Sequence, residues 1–345
     1  MFGNVKHTRT YMALGIAFLL NSSLFVSNAW AVERDVLSFV TRKDKGHSIQ
    51  LINTRGELLQ RLMIEGPIGH FTWSPDGRSI AYSSNRDGDP YIYVMDVRTN
   101  THRQLTFHDS RDLSPSWSPN GKWIAFISER AGNRDIYRMD VNGGNVRRLT
   151  NQGGCNKPVW SPDSQWIAFG STLGEGVEID NFLSLMTAEG RGIRRIADTS
   201  QPDCAWSSNG KEIAFVPPVD VVGGAALFSV DKDGKNRRQL TQLYKDLVLI
   251  LNPIWSLRGK RIAYVLIQIP IEFLARERVP AEELFADSVI CIANTEDGGG
   301  GEPIEATREL VYGSAFEWVP SGFLSVSLGA EKQTTLWSKL KQTDK

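Results

Sequence analysis

No excess of charge of either sign occurs in this sequence, which has 39 basic and 39 acidic residues among 345. Without a net positive field the chain is not steered onto nucleic acid or an anionic membrane, so no nucleic-acid partner is expected. Cysteine is also scarce: Cys155, Cys204 and Cys291 are the three present, and none stands in a CxxC pair. A cysteine-bound zinc site is therefore not expected, whereas one disulfide or three buried thiols both remain compatible with the count.

Long apolar runs are missing after residue 31, so no membrane span is expected beyond that point. Before it, Lys6, His7 and Arg9 precede the apolar stretch "YMALGIAFLL", and a small-residue pattern, Ala29-Trp30-Ala31, follows. This order predicts a secretory signal peptide over residues 1–31, cleaved before Val32. An N-terminal membrane anchor is the alternative, although the apolar core is short for a bilayer crossing of about 20 residues. The mature chain is then expected to be periplasmic or secreted.

One pattern recurs throughout the rest of the chain. "WSPDGRSIAYSS" begins at Trp73, and related segments begin at Trp117, Trp160, Trp206, Trp255 and, in degenerate form, Trp318, at spacings of 44, 43, 46, 49 and 63 residues. Proline presets the second turn position and glycine suits the fourth, so Ser-Pro-Asp-Gly predicts a turn between two strands. Burial of a large indole stabilises packing, so the six tryptophans are predicted to be structural residues between neighbouring units.

Each repeat has the features of four β-strands. After the turn come an apolar strand, a second strand such as "YIYVMDV", a Gly/Asn/Asp turn and a strand ending in Leu-Thr. Four-stranded units with a period of forty-odd residues predict an all-β fold, a β-propeller of six to seven blades over residues 32–345. An insertion is expected at about residues 268–287, where "QIPIEFLARERVPAEELFADS" suits a short amphipathic helix or lid. The first and last units are incomplete, which suggests that the two ends meet and share a blade.

These repeated segments resemble the propeller repeats of the TolB family, whose members belong to the Tol-Pal system of the bacterial periplasm. The resemblance covers nearly all of residues 35–340. It implies a periplasmic, noncatalytic platform for protein–protein interaction in the cell envelope. Family members carry an α/β domain ahead of the propeller, and this chain is expected to lack it because its first strands follow the predicted signal peptide almost directly.

Residues that vary among the repeats are the candidates for binding. In propellers, the loops before the innermost strands surround one mouth of the central channel. Three positions before the tryptophans lie His70, Ser114, Lys157, Asp203, Asn252 and Ala315, and Asp112 and Asn156 lie in the same loops. Packing alone would not select such a mixed polar ring, so a binding mouth for a protein or peptide partner is predicted there. A monomer without a cofactor is expected.

Catalytic patterns are absent from the sequence. It has no G-x-S-x-G elbow, which argues against a serine peptidase. His70, His102 and His108 fall near unit junctions with Asp109 and Asp112 beside them, and such a set could bind a divalent ion. The alternative to a noncatalytic platform is thus a metal-dependent lyase or hydrolase at the channel mouth. Since the histidines follow no recognisable ligand spacing, no catalytic residue and no metal site are assigned.

Overall fold

The structure, a computed structural model, describes residues of one unit that begins at Asp35. The described residues are 35–43, 46–64, 66–174, 180–218, 224–245, 248–270, 273, 288–296, 301–304, 316–321 and 323. The predicted signal peptide lies outside them, as do Ala315 and nearly all of the insertion predicted at 268–287. No helix in these ranges is long and apolar enough to cross a membrane.

Strands in the described residues form six antiparallel sheets of four strands each, here called blades 1 to 6. Blade 6 contains β1 (Val36–Lys43), β2 (Gly46–Asn53) and β3 (Leu58–Ile64), together with the last strand, β24 (Phe316–Trp318). Blade 1 contains β4 (Phe71–Trp73), β5 (Ser79–Ser84), β6 (Tyr91–Asp96) and β7 (His102–Gln104). Blade 2 contains β8 (Asp112–Trp117), β9 (Trp123–Ser128), β10 (Asp135–Asp140) and β11 (Arg147–Arg148).

The remaining three blades follow in chain order. Blade 3 contains β12 (Cys155–Trp160), β13 (Trp166–Leu173), β14 (Asp180–Thr187) and β15 (Arg194–Thr199). Blade 4 contains β16 (Cys204–Trp206), β17 (Ile213–Phe215), β18 (Phe228–Val230) and β19 (Arg238–Gln239). Blade 5 contains β20 (Val248–Trp255), β21 (Arg261–Gln268), β22 (Ser288–Asn294) and β23 (Glu302–Pro303).

The innermost strands close a ring. They contact one another in the order β4, β8, β12, β16, β20, β24 and back to β4, which defines a six-bladed propeller around a central channel. Blade 6 joins the two ends of the sequence, because Leu37 of β1 pairs with Trp318 of β24. The expected sharing of a blade is thus confirmed. Seven blades, the other count left open by the sequence, is wrong, because the incomplete first and last units supply different strands of one sheet.

The repeated Ser-Pro-Asp-Gly segment builds the turn after each innermost strand. In blade 1 the Ser74 hydroxyl donates to Oδ1 of Asp76 at 2.6 Å and accepts from the Ser79 amide at 2.9 Å. Ser118, Ser161 and Ser207 make the equivalent pair of bonds. Gly77 has a φ of 69°, and an added Cβ there would lie 2.2 Å from the Phe323 amide, so only glycine fits.

Hydrophobic side chains pack between neighbouring blades, in six clusters that correspond to the six blade interfaces. Five of the six repeated tryptophans are buried, and Trp117 is half-buried. Each of four indoles donates a hydrogen bond to the preceding blade: Trp73 to Ser38 Oγ, Trp160 to Ser116 O, Trp206 to Val159 O and Trp318 to Ile254 O. All three cysteines are buried thiols. The sequence was compatible with one disulfide or with three buried thiols, and the structure shows three buried thiols.

Two faces of the ring follow from the antiparallel strand order. Turns from the first to the second strand and from the third to the fourth lie at one end of every blade, here called the turn face. Connections from the second strand to the third, and from one blade to the next, lie at the other end, here called the loop face. His70 and Asp203 directly precede their innermost strands, as predicted. The other predicted residues lie within the innermost strands and not in loops: Asp112, Ser114, Asn156, Lys157 and Asn252. All come before the tryptophan that ends the strand and so lie towards the loop-face end of the channel.

Candidate functional site: the central channel

Backbone irregularities shape the loop-face end of the channel. The register of the innermost strand shifts between Leu113 and Ser116 in blade 2, between Asn156 and Val159 in blade 3, and between Leu251 and Ile254 in blade 5. Ser114 and Asn252 have φ angles of 48° and 47°. A β-bulge turns the side chains beside it in a new direction. Non-glycine residues with positive φ, which a regular strand does not contain, are found more often at binding sites than elsewhere.

A polar contact crosses the channel at this level. Nζ of Lys157, from blade 3, donates to Oδ1 of Asn252, from blade 5, at 2.7 Å. The backbone N–H of Asn252 in turn donates to Oδ2 of Asp203, from blade 4, at 3.2 Å. Asn252 is 1% exposed, and its Nδ2 has no hydrogen-bond partner among the described residues. Three blades therefore contribute to one polar cluster that spans the channel.

Burial changes the protonation of two groups beside this cluster. Burial and, to a smaller extent, the Lys157 cation lower the pKa of His70 to about 4, while Asp203 acts in the opposite sense. His70 is therefore a neutral imidazole at neutral pH. Burial raises the pKa of Glu317 to about 7, against the lowering effects of the Lys157 cation and of the Trp73 amide, which donates to Glu317 Oε2 at 3.3 Å. Lys157 is thus the charge that both groups sense.

A cavity of about 400 Å³ occupies the channel on the turn-face side of this cluster. Its walls come from the innermost strands of all six blades and are mostly apolar, including Phe71, Phe316 and four of the repeated tryptophans. The polar side chains are few: His70, Ser114, Ser116, Lys157, Ser208, Ser256 and Glu317. An apolar enclosure with a few placed polar groups is the usual form of a ligand pocket.

The structure brings together most, and not all, of the residues predicted for the mouth. His70, Ser114 and Lys157 line the cavity, and Asp203 and Asn252 join Lys157 in the cross-channel cluster. Asn156 points elsewhere: its side-chain amide donates to Gly154 O and to Thr172 Oγ1 within blade 3. Whether any of them binds a ligand remains a prediction.

Asp112 belongs to a separate cluster. Its side chain is fully buried and accepts from Nε2 of His108 at 2.8 Å and from the guanidinium of Arg130 at 3.1 Å. Arg130 also lies over the rings of Phe126 and Tyr137. The Asp112 carboxylate therefore holds β8 to other residues of blade 2. The sequence predicted Asp112 to line the channel mouth, whereas in the structure its contacts are of this structural kind.

Glu317 is the channel residue that sequence reasoning missed. It directly precedes Trp318, and the corresponding positions in the other repeats carry Thr72, Ser116, Val159, Ala205 and Ile254. A charged residue in a column of small and apolar ones was the available signal. The positions three residues before each tryptophan, from which the mouth is predicted, do not include it.

The histidines considered for a metal site do not converge. His70 lies in the channel, His102 accepts or donates a 2.8 Å bond with the Tyr82 hydroxyl on the outer part of blade 1, and His108 contacts Asp112. Among the described residues, no three His, Cys, Asp or Glu side chains are grouped so as to hold a metal ion.

Comparison with known proteins points to one family. A family model described as the TolB beta propeller domain matches residues 16–246. The "Tol-Pal system protein TolB" of Hahella chejuensis is 50% identical over 50 residues, which span 14% of this chain and 11% of that protein. The matched segment is therefore a small part of the relative's length.

Solved structures show the same fold at low sequence identity. TolB from Acinetobacter baumannii superposes with a TM-score of 0.60 and 23% identity, covering 83% of this chain and 67% of that one. An oligogalacturonate lyase from Vibrio parahaemolyticus superposes with a TM-score of 0.50 and 15% identity, covering 80% and 72%. Likeness at these identities indicates a common propeller and does not transfer an activity.

Proposed function

The chain belongs to the TolB beta-propeller domain family, and we propose from this premise that it is an exported, noncatalytic propeller that binds a protein or peptide partner in the cell envelope. The family match over residues 16–246 and the Tol-Pal name of the Hahella relative support the envelope role. The polar cluster of Lys157, Asp203 and Asn252 across the channel is the observation that carries the binding role.

The compartment and assembly state form part of the proposal. The sequence of residues 1–31 supports export by a cleaved signal peptide to the periplasm or beyond. We expect the mature chain to be a monomer without a cofactor.

The partner would meet the loop-face end of the channel. Lys157 has three donor positions and uses one on Asn252, while Nδ2 of Asn252 has no partner in the described part of the chain. His70 adds a neutral imidazole, with one donor and one acceptor nitrogen. Hydrogen-bond donors of this kind bind peptide carbonyls and side-chain carboxylates, which are acceptors. An extended peptide segment presents both kinds of acceptor at close spacing.

Crosslinking in the native envelope, followed by mass spectrometry, tests this role. The bait is the full chain, compared with a Lys157→Met/Asp203→Asn double variant. Lys232→Met/Asp233→Asn, an equal change on an exposed turn of blade 4, is the matched control. We expect one set of proteins to crosslink to the wild type and the control and to be lost from the channel variant. Equal crosslinking by all three chains would reject the proposed mouth, and absence of any specific protein crosslink would reject the interaction role.

The fold shared with the Vibrio enzyme supports the alternative, a metal-dependent lyase or hydrolase. Elemental analysis of the purified chain after dialysis separates the two functions. Stoichiometric manganese, zinc or calcium would favour the enzyme, whereas less than about a tenth of an equivalent would favour the platform.

A further inference from the structure

The channel cavity reaches the surface at the turn face. Its lining includes Pro119, Pro162, Ser208 and Leu257, which lie in the turns after the innermost strands of blades 2 to 5. All four are exposed, and Leu257 is 51% exposed although it is apolar. These four residues are here called the rim. A side chain of a partner can therefore enter the cavity between them, at the end of the channel opposite the predicted mouth.

The cavity behind the rim suits an apolar group. Val159, Ile254 and the indoles of Trp160, Trp206 and Trp255 form its walls. A volume of about 400 Å³ exceeds that of any single side chain and falls within the range of ordinary ligand pockets. Transfer of a phenylalanine or leucine side chain from water into such a space is favourable, because it removes apolar surface from water.

Positive charge surrounds the rim. The residue after the turn glycine is basic in four blades, and a fifth basic residue precedes the glycine in blade 5; these exposed residues are Arg78, Lys122, Lys211, Lys260 and Arg258. In the part of the chain that the structure describes, Lys122 and Lys211 have no ion pair, and Lys260 has only a 4.0 Å contact with Glu296.

The acidic residues of the same turns do not cancel this charge. Asp76 and Asp163 accept hydrogen bonds from the serine hydroxyl and from a backbone amide of their own turns. Asp76 also lies 3.9 Å from Arg78, an exposed and therefore weak ion pair. The five basic residues still outnumber these two carboxylates. The potential at the rim is positive, although the whole chain is neutral.

We propose that the turn-face end of the channel binds an acidic peptide segment that carries one apolar side chain, which enters the cavity while the flanking carboxylates meet the basic ring. Charge complementarity selects the acidic partner, and the enclosed apolar space selects the anchor. The entrance lies at the end of the channel opposite the loop-face cluster, although Lys157 of that cluster lines the same cavity. The proposal does not depend on the envelope role.

Fluorescence anisotropy with a synthetic peptide tests the proposal. The probe is a labelled peptide with a central phenylalanine flanked by aspartates and glutamates, titrated with the full chain at low salt. We expect the peptide with serine in place of phenylalanine to bind at least about tenfold more weakly, because the buried apolar area is lost. A peptide with lysines in place of the acidic residues should not bind. Added salt should weaken the binding of the acidic peptide by about tenfold or more, because it screens the exposed charges.

Protein variants locate the site. Ser208→Trp fills the rim from an exposed position and should weaken binding about tenfold or more. Lys122→Glu/Lys211→Glu should do the same at low salt, whereas the matched loop-face control Arg111→Glu/Lys245→Glu should change the affinity less than about twofold. Circular dichroism melting curves confirm that each variant is folded.

Three results would overturn the proposal. Equal affinity for the serine and phenylalanine peptides would show that no anchor enters the cavity. If the folded Ser208→Trp variant bound the peptide as tightly as the wild type, the peptide would bind at a place other than the rim. Sedimentation of the chain with phosphatidylglycerol vesicles in the absence of peptide binding would assign the basic ring to a membrane surface. Because the probe is a purified peptide, failure here leaves the crosslinking result at the loop face unaffected.

Discussion

The hydrogen bond from Lys157 to Asn252 links blades 3 and 5 across the channel, over a distance of 2.7 Å between Nζ and Oδ1. Blade 4 lies between them and contributes Asp203 to the same cluster. A side-chain bond between blades that are not neighbours fixes the position of a positive charge near the channel axis. The protonation of His70 and of Glu317 depends on that charge.

Replacement of Lys157 by methionine should raise the pKa of both His70 and Glu317. The cation repels the proton on His70 and favours the ionised form of Glu317, so its removal makes both groups hold their protons to higher pH, by about 1 unit. A carbon-detected NMR titration of the imidazole and carboxyl resonances measures both shifts. Lys122→Met, a matched change at the exposed turn of blade 2, should leave both pKa values in place. A decrease of either value would contradict this electrostatic account.

The two groups should give opposite pH dependences of stability. The pKa of His70 falls from 6.5 to about 4 on folding, so the unfolded state binds more protons in that window and the free energy of unfolding rises as the pH rises. The pKa of Glu317 rises from 4.5 to about 7, so its contribution is present at low pH and is lost as the pH rises through 7. In the wild type these slopes oppose each other between about pH 4.5 and 6.5.

Single variants separate the slopes. Glu317→Gln should be more stable at about pH 7 than at about pH 5, and His70→Gln should show the reverse, each by on the order of 1 to 3 kcal/mol. Urea unfolding at the two pH values measures the differences. Parallel profiles for the two variants would show that neither group titrates as the channel environment requires.

Loss of an indole hydrogen bond between blades should cost more than loss of an indole that makes none. Trp160 donates to Ser116 O at 3.0 Å, whereas Nε1 of Trp117 has no partner among the described residues and its side chain is half-buried. We expect Trp160→Phe to lower the free energy of unfolding by about 2 to 3 kcal/mol and Trp117→Phe by about 1 kcal/mol or less. Equilibrium denaturation compares them. Equal losses would indicate that apolar area alone, and not the indole bond, joins the blades.

The fully buried Asp112 carboxylate should matter far more than the half-buried carboxylate of Glu129 nearby. Asp112→Asn leaves Arg130 and His108 without a carboxylate in a buried site, and we expect a loss of about 3 to 5 kcal/mol. Glu129→Gln removes the partner of the exposed Arg111 and Arg134 and should cost less than about 1 kcal/mol. Thermal melting measures both. A small loss of stability in Asp112→Asn together with weakened partner binding would contradict this structural role. It would support the sequence-based prediction that Asp112 lines the binding mouth.

The fold was predictable because its signals are local. Trp73 and its counterparts, each followed by Ser-Pro-Asp-Gly or a variant of it, mark the end of every innermost strand within a few residues of sequence. The blade count was less accessible, because it depends on the pairing of Leu37 with Trp318, residues from opposite ends of the chain. The site was predictable only in part. Bulges decide where Lys157 and Asn252 point. Pro158 and Pro253 follow these residues and mark the irregularities in the sequence, but a proline does not specify the direction in which its neighbour's side chain is turned.

The shared construction of blade 6 sets the order in which the molecule can be completed. The Ser38 hydroxyl donates to the backbone carbonyl of Glu317, 279 positions later in the sequence. Blade 6 therefore cannot gain its innermost strand, β24, until almost the whole chain has been synthesised. Until then the inner edge of β1 presents unpaired amides and carbonyls, which are open to pairing with another chain. A polypeptide stopped before Phe316 would keep five finished sheets and a gap, and its fate would be oligomerisation or proteolysis.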